Sequence, residues 1–252
     1  MKALIFGAGL GTRLRPLTDS RPKALVEVGG EPMLGRVIRS AVKAGATTVT
    51  VNVHHFAPMV TDWLSTRDFG IPVSVSDESR LLLDTGGGLL KARPMLDDGS
   101  DEPILIHNAD ILTDAPLRQL AEAHRASGND VTLMVAPRQS SRALLFDRQM
   151  SLAGWLNRAS GETIPEGVCP TDFTELAFSG VHMVSPRVFP ALAAYAGSAG
   201  AVFPIVPFYL SMIGRLTMRG WMQPEGTAWF DIGRPESLIR ARQFIENQLN
   251  LI

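Results

Sequence analysis

The 252-residue chain carries a single cysteine, so no internal disulfide can form. That fits a reducing compartment, and without a patterned histidine partner Cys169 reads as incidental rather than catalytic. Charge of one sign is not in excess: 24 basic residues face 25 acidic ones. With no basic patch, a nucleic-acid partner is not expected. No run of about 18 apolar residues occurs, so no membrane-spanning helix is expected. The apolar stretch after Met1-Lys2 is too short for a signal peptide, and a cytoplasmic location is the expectation. The five histidines lack metal-ligand spacing; of them only His107 lies beside a candidate site. There is no internal repeat, no low-complexity tail and no Gly/Ser linker. A hydrophobic content of 45% suffices for a sizeable core, and one integrated domain over residues 1–252 is expected.

What is present alternates. Lys2 to Phe6 is a short apolar run ending at Gly7, the pattern of a buried parallel strand. Apolar residues at helical spacing follow from Pro32 to Ala44, stopped by Gly45. Strands are expected at residues 47–53, 71–75, 103–107 and 131–135, with helices at 56–64 and 117–126 between them. Alternation of this kind implies βαβ units in an α/β, doubly wound, mostly parallel Rossmann-like sheet. Past about Arg138 the rhythm changes. Short mixed strands (144–146, 176–184) and helices (186–195, 204–212) lead to a strand end at 229–232 and a closing helix over 235–248. Residues 1–137 therefore read as a nucleotide-binding half, and 138–252 as a half that shapes a second ligand site.

Gly7-Ala8-Gly9-Leu10-Gly11-Thr12-Arg13 follows the first strand directly. Glycines allow a tight turn that aims backbone N–H groups at an anion, and Arg13 adds a fixed positive fork. The loop suits a di- or triphosphate. It is not a dinucleotide fingerprint, because Thr12 stands where the third glycine belongs and no acidic residue ends the second strand. Nor is it a P-loop, which needs Gly-Lys-Ser/Thr. Lys23, held after Pro22 in a segment too rich in proline for a helix, is placed to clamp phosphates. Asp110, in His107-Asn108-Ala109-Asp110, ends a parallel strand, where ligands bind such sheets.

Gly7 to Leu17 together with Pro22-Lys23 resembles the signature of the sugar-nucleotide pyrophosphorylases, nucleotidyltransferases that act on sugar 1-phosphates. The resemblance runs through the whole chain. It implies a glycosyltransferase-A-like fold with a small mixed sugar-binding subdomain. It implies that Gly7, Ala8, Gly9, Gly11, Thr12, Arg13 and Lys23 wrap the nucleotide, and that Asp110 and Asp231 (in Trp229-Phe230-Asp231-Ile232-Gly233) hold Mg²⁺. The matching loop Leu83-Asp84-Thr85-Gly86-Gly87-Gly88 would read the base through Thr85, Gly86 and Gly87, with Glu78 beside the nucleoside. Asn108, Glu175, Ser179 and Gly180 would touch the sugar. Arg13, Lys23 and Asp110 would be the catalytic set. The Leu-Asp-Thr-Gly-Gly-Gly stretch is similar to the branch that includes N-acetylmuramate-1-phosphate uridylyltransferases. The implied substrates are thus UTP and N-acetylmuramate 1-phosphate, with GTP or dTTP and mannose, heptose or glucose 1-phosphate still open. A non-catalytic sugar-nucleotide sensor is the reading of another class. One departure stands out: the family's lysine to the sugar phosphate has no counterpart, since no lysine follows Lys91. Either an arginine such as Arg142 or Arg158 takes that role, or the role is lost.

Overall fold

The computed structural model describes residues 1–249, so the last three residues of the expected 1–252 unit lie outside the described residues. In chain order the strands are β1 (Lys2–Phe6), β2 (Glu27–Val28), β3 (Glu31–Pro32), β4 (Thr48–Val53), β5 (Val73–Asp77), β6 (Ile104–Asn108) and β7 (Ile111–Thr113). They continue with β8 (Val131–Ala136), β9 (Arg142–Phe146), β10 (Leu152–Asn157), β11 (Thr163–Ile164), β12 (Thr174–Val184), β13 (Met218–Met222) and β14 (Trp229–Asp231). The helices are α1 (Met33–Lys43), α2 (Ala57–Ser65), α3 (Asp84–Leu96), α4 (Leu117–Ser127), α5 (Phe189–Ala199), α6 (Ile205–Ser211) and α7 (Pro235–Leu249).

A ten-stranded sheet runs β11-β10-β9-β12-β6-β1-β4-β5, with β8 and then β13 joined beside β12. Its first half, β6-β1-β4-β5, is parallel. Alternation decides which side chain meets which layer. Ala3 and Ile5 of β1 face one apolar cluster, shared with α1, α2, α4 and α7. Leu4 faces the other, shared with α3, α5 and α6. The sheet is thereby covered on both faces, as parallel strands require. In β4, Val49, Val51 and Val53 fill the first cluster. That turns Thr50 and Asn52, both buried, to the opposite face.

Antiparallel pairing begins at β12, which contacts β6 on one side and β8 and β9 on the other. Its register against β8 shifts between Phe178 and His182, a bulge centred on Gly180 at φ +73°. A β-bulge bends the strand and re-aims its groups. Here it sits beside the candidate site.

Two sequence expectations need correction. The Gly-rich stretch after Leu83 is no loop: Asp84 opens α3, and Gly86, Gly87 and Gly88 are buried in its first turns. A Cβ on Gly86 would lie 2.3 Å from the Phe203 ring, and one on Gly87 2.2 Å from the Ala201 carbonyl. The glycines exist so that the helix can press against the 201–203 segment. The helix expected from Pro186 begins instead at Phe189, because Pro186–Val188 forms a separate 3₁₀ turn.

Candidate active site

The Gly-rich loop leaves the carboxyl end of β1 at the centre of the parallel half. Gly7 is tied down: its N–H donates to the Asn52 carbonyl and to Asn52 Oδ1 at 2.7 Å. Asn52 Nδ2 in turn donates to Glu78 Oε1 at 2.9 Å, and Glu78 Oε2 accepts from the Leu83 N–H at 3.0 Å. Two sequence expectations change with this network. Gly7 has no N–H left for an anion. Glu78 is fully buried and braces the loop rather than facing a nucleoside. A Cβ on Gly7 would press against the Asn52 carbonyl at 3.0 Å.

Beyond Gly7 the loop is different. Among the described residues, the N–H groups of Ala8, Gly9, Leu10 and Gly11 have no partner in the protein. Gly11 turns the chain with a left-handed φ of +67° into a 3₁₀ turn over Thr12–Leu14. Thr18 donates to its carbonyl at 2.8 Å. A Cβ on Gly11 would meet Thr18 and Lys23 at about 3 Å, so the loop closes only on glycine here. Free backbone N–H groups of this kind are able to bond an anion. Gly11 and Thr12 do not line the cleft that Ala8 and Gly9 border.

Lys23 opens a 3₁₀ turn after Pro22 and is 8% exposed. Its ammonium is bonded to Asp110 Oδ2 and lies 3.8 Å from Asp231 Oδ1. Asp110 and Asp231 come from distant parts of the chain. They meet because β14 pairs antiparallel with β7, Asp231 opposite Ile111, and because the Ile232 N–H donates to the Asp110 carbonyl at 2.9 Å. Arg13 Nη2 stands 3.9 Å from Asp231 Oδ2 on a largely solvated arm. Gly233 lies at the junction. A Cβ there would fall within 3 Å of Lys23 Nζ, Asp231 Oδ1 and Arg13 Nη2. Two carboxylates thus converge on one cation, the arrangement that suits Mg²⁺ completed by phosphate and water oxygens. No group of three or more acidic, histidine or cysteine side chains suited to a metal occurs among the described residues.

A cleft of about 290 Å³ opens over this cluster, lined by Gly7, Ala8, Gly9, Lys23, Thr85, Asn108 and Asp110 among others. Gly86 and Gly87 are not in its wall; both donate their N–H groups to the Phe203 carbonyl. The expectation that a base lies against them is therefore corrected to packing. Thr85 lines the cleft while its hydroxyl accepts from the Ile205 N–H. Asp84, which sequence reasoning passed over, also lines it, from a left-handed φ of +60°. A non-glycine residue held there is uncommon, and such positions gather at functional sites.

A second cleft adjoins the first through Asn108 and is walled by Ile111, Arg138, Gln139, Phe178, Gly180, Trp229 and Asp231. Gly180 and Asn108 both line this cleft and approach each other: a Cβ on Gly180 would be 2.9 Å from Asn108 Nδ2. Two other sugar-site expectations do not hold. Ser179 is fully buried, donating to Gln223 Oε1 and accepting from Arg138. Glu175 is bound to Arg158 at 2.8 Å, outside both clefts, which also occupies the arginine expected to replace the missing lysine. Arg142 is exposed and lines neither cleft. His107 is buried with Nδ1 against the Asn108 carbonyl, and burial pulls it down to about 4, so it is neutral at pH 7.

Fold and site together define an α/β protein with a Gly-rich loop of unpartnered N–H groups at the carboxyl ends of its parallel strands, next to two carboxylates that share the Lys23 ammonium. Residues 2–146 match the model of the family described as Nucleotidyl transferase, and the chain belongs to that family. It is 31% identical over 251 residues to the N-acetylmuramate alpha-1-phosphate uridylyltransferase of Caulobacter vibrioides, covering 95% of this chain and 94% of that protein. It is 29% identical over 243 residues to the mannose-1-phosphate guanyltransferase beta-B of Xenopus laevis, 95% of this chain but 63% of that longer protein. In fold it is similar to UDP-glucose pyrophosphorylase solved with UDP-glucose, with a TM-score of 0.77, 17% identity and 98% of each chain covered. The glycosyltransferase-A-like architecture expected from the sequence is the one found.

Proposed function

We propose that the protein transfers a nucleotidyl group from UTP to N-acetylmuramate 1-phosphate, releasing pyrophosphate. The observation that carries the reaction class is the Lys23 ammonium between Asp110 and Asp231, beside a loop with four unpartnered N–H groups. The donor and acceptor rest on the Caulobacter relative, whose length this chain nearly matches. Transfer from GTP to mannose 1-phosphate is the second reading, supported by the similarity to the guanyltransferase.

An oxygen of the sugar 1-phosphate forms a bond to the α-phosphorus, and the bond from that phosphorus to the bridging β-oxygen breaks. The acceptor phosphate is already ionised near neutral pH, so no side-chain base is needed. The chain's residues position and neutralise. N–H groups of residues 8–11 and Arg13 hold the triphosphate. Lys23, drawn from its carboxylates, balances the leaving pyrophosphate. Asp110 and Asp231 would hold Mg²⁺, which screens phosphate charge when bound. Asn108 orients the acceptor where the two clefts meet.

The test is pyrophosphate release with a panel of triphosphates and sugar 1-phosphates in Mg²⁺, wild type beside Asp110→Asn. The variant is expected to lose on the order of 10²–10³ in rate. Release with GTP and mannose 1-phosphate alone would replace the substrates and keep the chemistry. Nucleotide binding with no release from any pair would leave a sensor.

A further inference from the structure

The second cleft contains a cation that the chain itself does not neutralise. Arg138 makes no ion pair among the described residues; two of its N–H groups donate, to Ser179 Oγ at 2.9 Å and to the Phe178 carbonyl at 3.2 Å. Its guanidinium carbon stacks 3.7 Å over the Trp229 ring. Those contacts fix the plane of the group without cancelling its charge, and further N–H donors remain unused.

The platform beneath it is assembled with care. The β12 bulge at Phe178-Ser179-Gly180 turns the Phe178 carbonyl toward Arg138. The Ser179 carbonyl accepts from Trp229 Nε1 at 2.9 Å, and the Ser179 hydroxyl is anchored on Gln223. Trp229 belongs to β14, the strand that delivers Asp231. Arg138 is therefore locked to the element that carries the metal carboxylate, and both line one cleft. Burial draws Arg138 down to about 10, so it is still charged at neutral pH. A half-buried guanidinium without a counter-ion costs stability, and a stacked planar fork is suited to a carboxylate or phosphate.

We propose that Arg138 is the acceptor-side anion binder: it holds an oxyanion of the sugar phosphate in the cleft beside Asp231. This rests on the nucleotidyltransferase reading above. It gives the role left open by the absent lysine to a residue that sequence comparison did not point to. Two oxyanions share the chemistry, the 1-phosphate itself and the lactyl carboxylate of an N-acetylmuramate.

The experiment measures acceptor binding by titration calorimetry, and KM and kcat by pyrophosphate release. It compares wild type, Arg138→Met and Arg138→Lys, with N-acetylmuramate 1-phosphate, N-acetylglucosamine 1-phosphate and mannose 1-phosphate as probes. The Met variant is expected to weaken acceptor binding by about 10- to 100-fold, with the loss in KM more than in kcat. The Lys variant should fall between, having charge without the planar fork. Equal losses for all three probes assign the 1-phosphate; a loss confined to the N-acetylmuramate compound assigns its carboxylate. Unchanged acceptor affinity in both variants overturns the proposal while leaving the enzyme reading intact. Binding that depends on Arg138 without turnover by wild type keeps the anion site and removes the enzyme reading. Wild type that neither binds nor uses any probe removes both. The Lys variant retains the cation over Trp229, so its thermal midpoint separates lost binding from lost folding.

Discussion

At the scale of single residues, Asn52 is the position whose importance the sequence conceals. It sits in a β-branched strand and reads as a polar break in an apolar run. Its side chain accepts from Gly7 and donates to Glu78, so it fastens the anion loop to the segment before α3. Removing it leaves the buried Glu78 Oε1 without its amide donor and reduces the Gly7 N–H to its bond with the Asn52 main-chain carbonyl. An unpartnered buried polar group costs about 1–3 kcal/mol, more where a carboxyl group is concerned. Asn52→Ala is therefore expected to destabilise the fold by about 2 kcal/mol, a drop of roughly 4–8 °C in Tm. It should also raise KM for the triphosphate, because Gly7 then holds the loop by one bond instead of two. Calorimetric melting and initial-rate kinetics check both; a Tm within about 2 °C of wild type would sink the bracing role. By contrast, Lys23 and Asp110 are readable as candidates from a lysine held after proline and a carboxylate at a parallel strand's end, whereas Asp231 is reached only through the family resemblance. Glu78, Glu175 and Ser179 are also polar, and the same signal misplaced them. A polar side chain's partners are long-range, and sequence spacing does not reveal them.

At the scale of elements, the strands that could be read are those whose burial decides everything. β1, β4, β6 and β8 are short apolar or β-branched runs, and each falls within two residues of its expected place. α3 was unreadable for an equally physical reason. Three glycines and an internal Pro94 give it one of the poorest intrinsic helix preferences in the chain. Packing against residues 201–203 overrides that preference. The two effects can be set against each other in Gly87→Ala. Propensity alone predicts a gain of about 1 kcal/mol. The Ala201 carbonyl, 2.2 Å from the new Cβ, predicts a loss. Overpacking typically costs about 1–3 kcal/mol, and a backbone atom cannot step aside as a side-chain end can. The net expectation is destabilisation by about 1–2 kcal/mol, read as a lower urea midpoint at unchanged m-value. A stabilised variant would show that the helix, and not its contact, limits this region. β7 and β14 were missed or blurred because three residues carry too little pattern. Yet their pairing is what brings Asp110 and Asp231 together.

At the scale of the whole molecule, the sheet and its flanking helices bury three histidines that the site chemistry does not use as acids or bases. His107, His124 and His182 are each 2% exposed or less. Burial lowers His107 and His124 to about 4 and His182 to about 3, from a starting value of 6.5; neighbouring arginines add to the effect at His124 and the other histidines at His182. These rings are neutral when folded, whereas the unfolded chain takes up their protons near pH 6.5. Their stability contribution is thus complete above that pH and is lost as pH falls toward the folded values. Each ring tilts the unfolding free energy by at most about 1.4 kcal/mol per pH unit, so the three together approach about 4. Against a total of about 5–15 kcal/mol, that makes the protein markedly less stable by about pH 5, before most carboxylates are protonated. His182 permits a direct test. Among the described residues neither of its ring nitrogens has a hydrogen-bond partner, and it lies edge-on to Phe178 and Tyr209 at 5.5 and 5.7 Å. His182→Leu removes one titrating ring and two unpartnered atoms together. Urea unfolding at pH 8, 6 and 5 is expected to show the variant's stability declining about one-third less steeply than wild type. Its advantage should therefore be larger at pH 5 than at pH 8. An identical slope in both proteins would mean that His182 is not kept neutral by the fold and that acid sensitivity arises elsewhere.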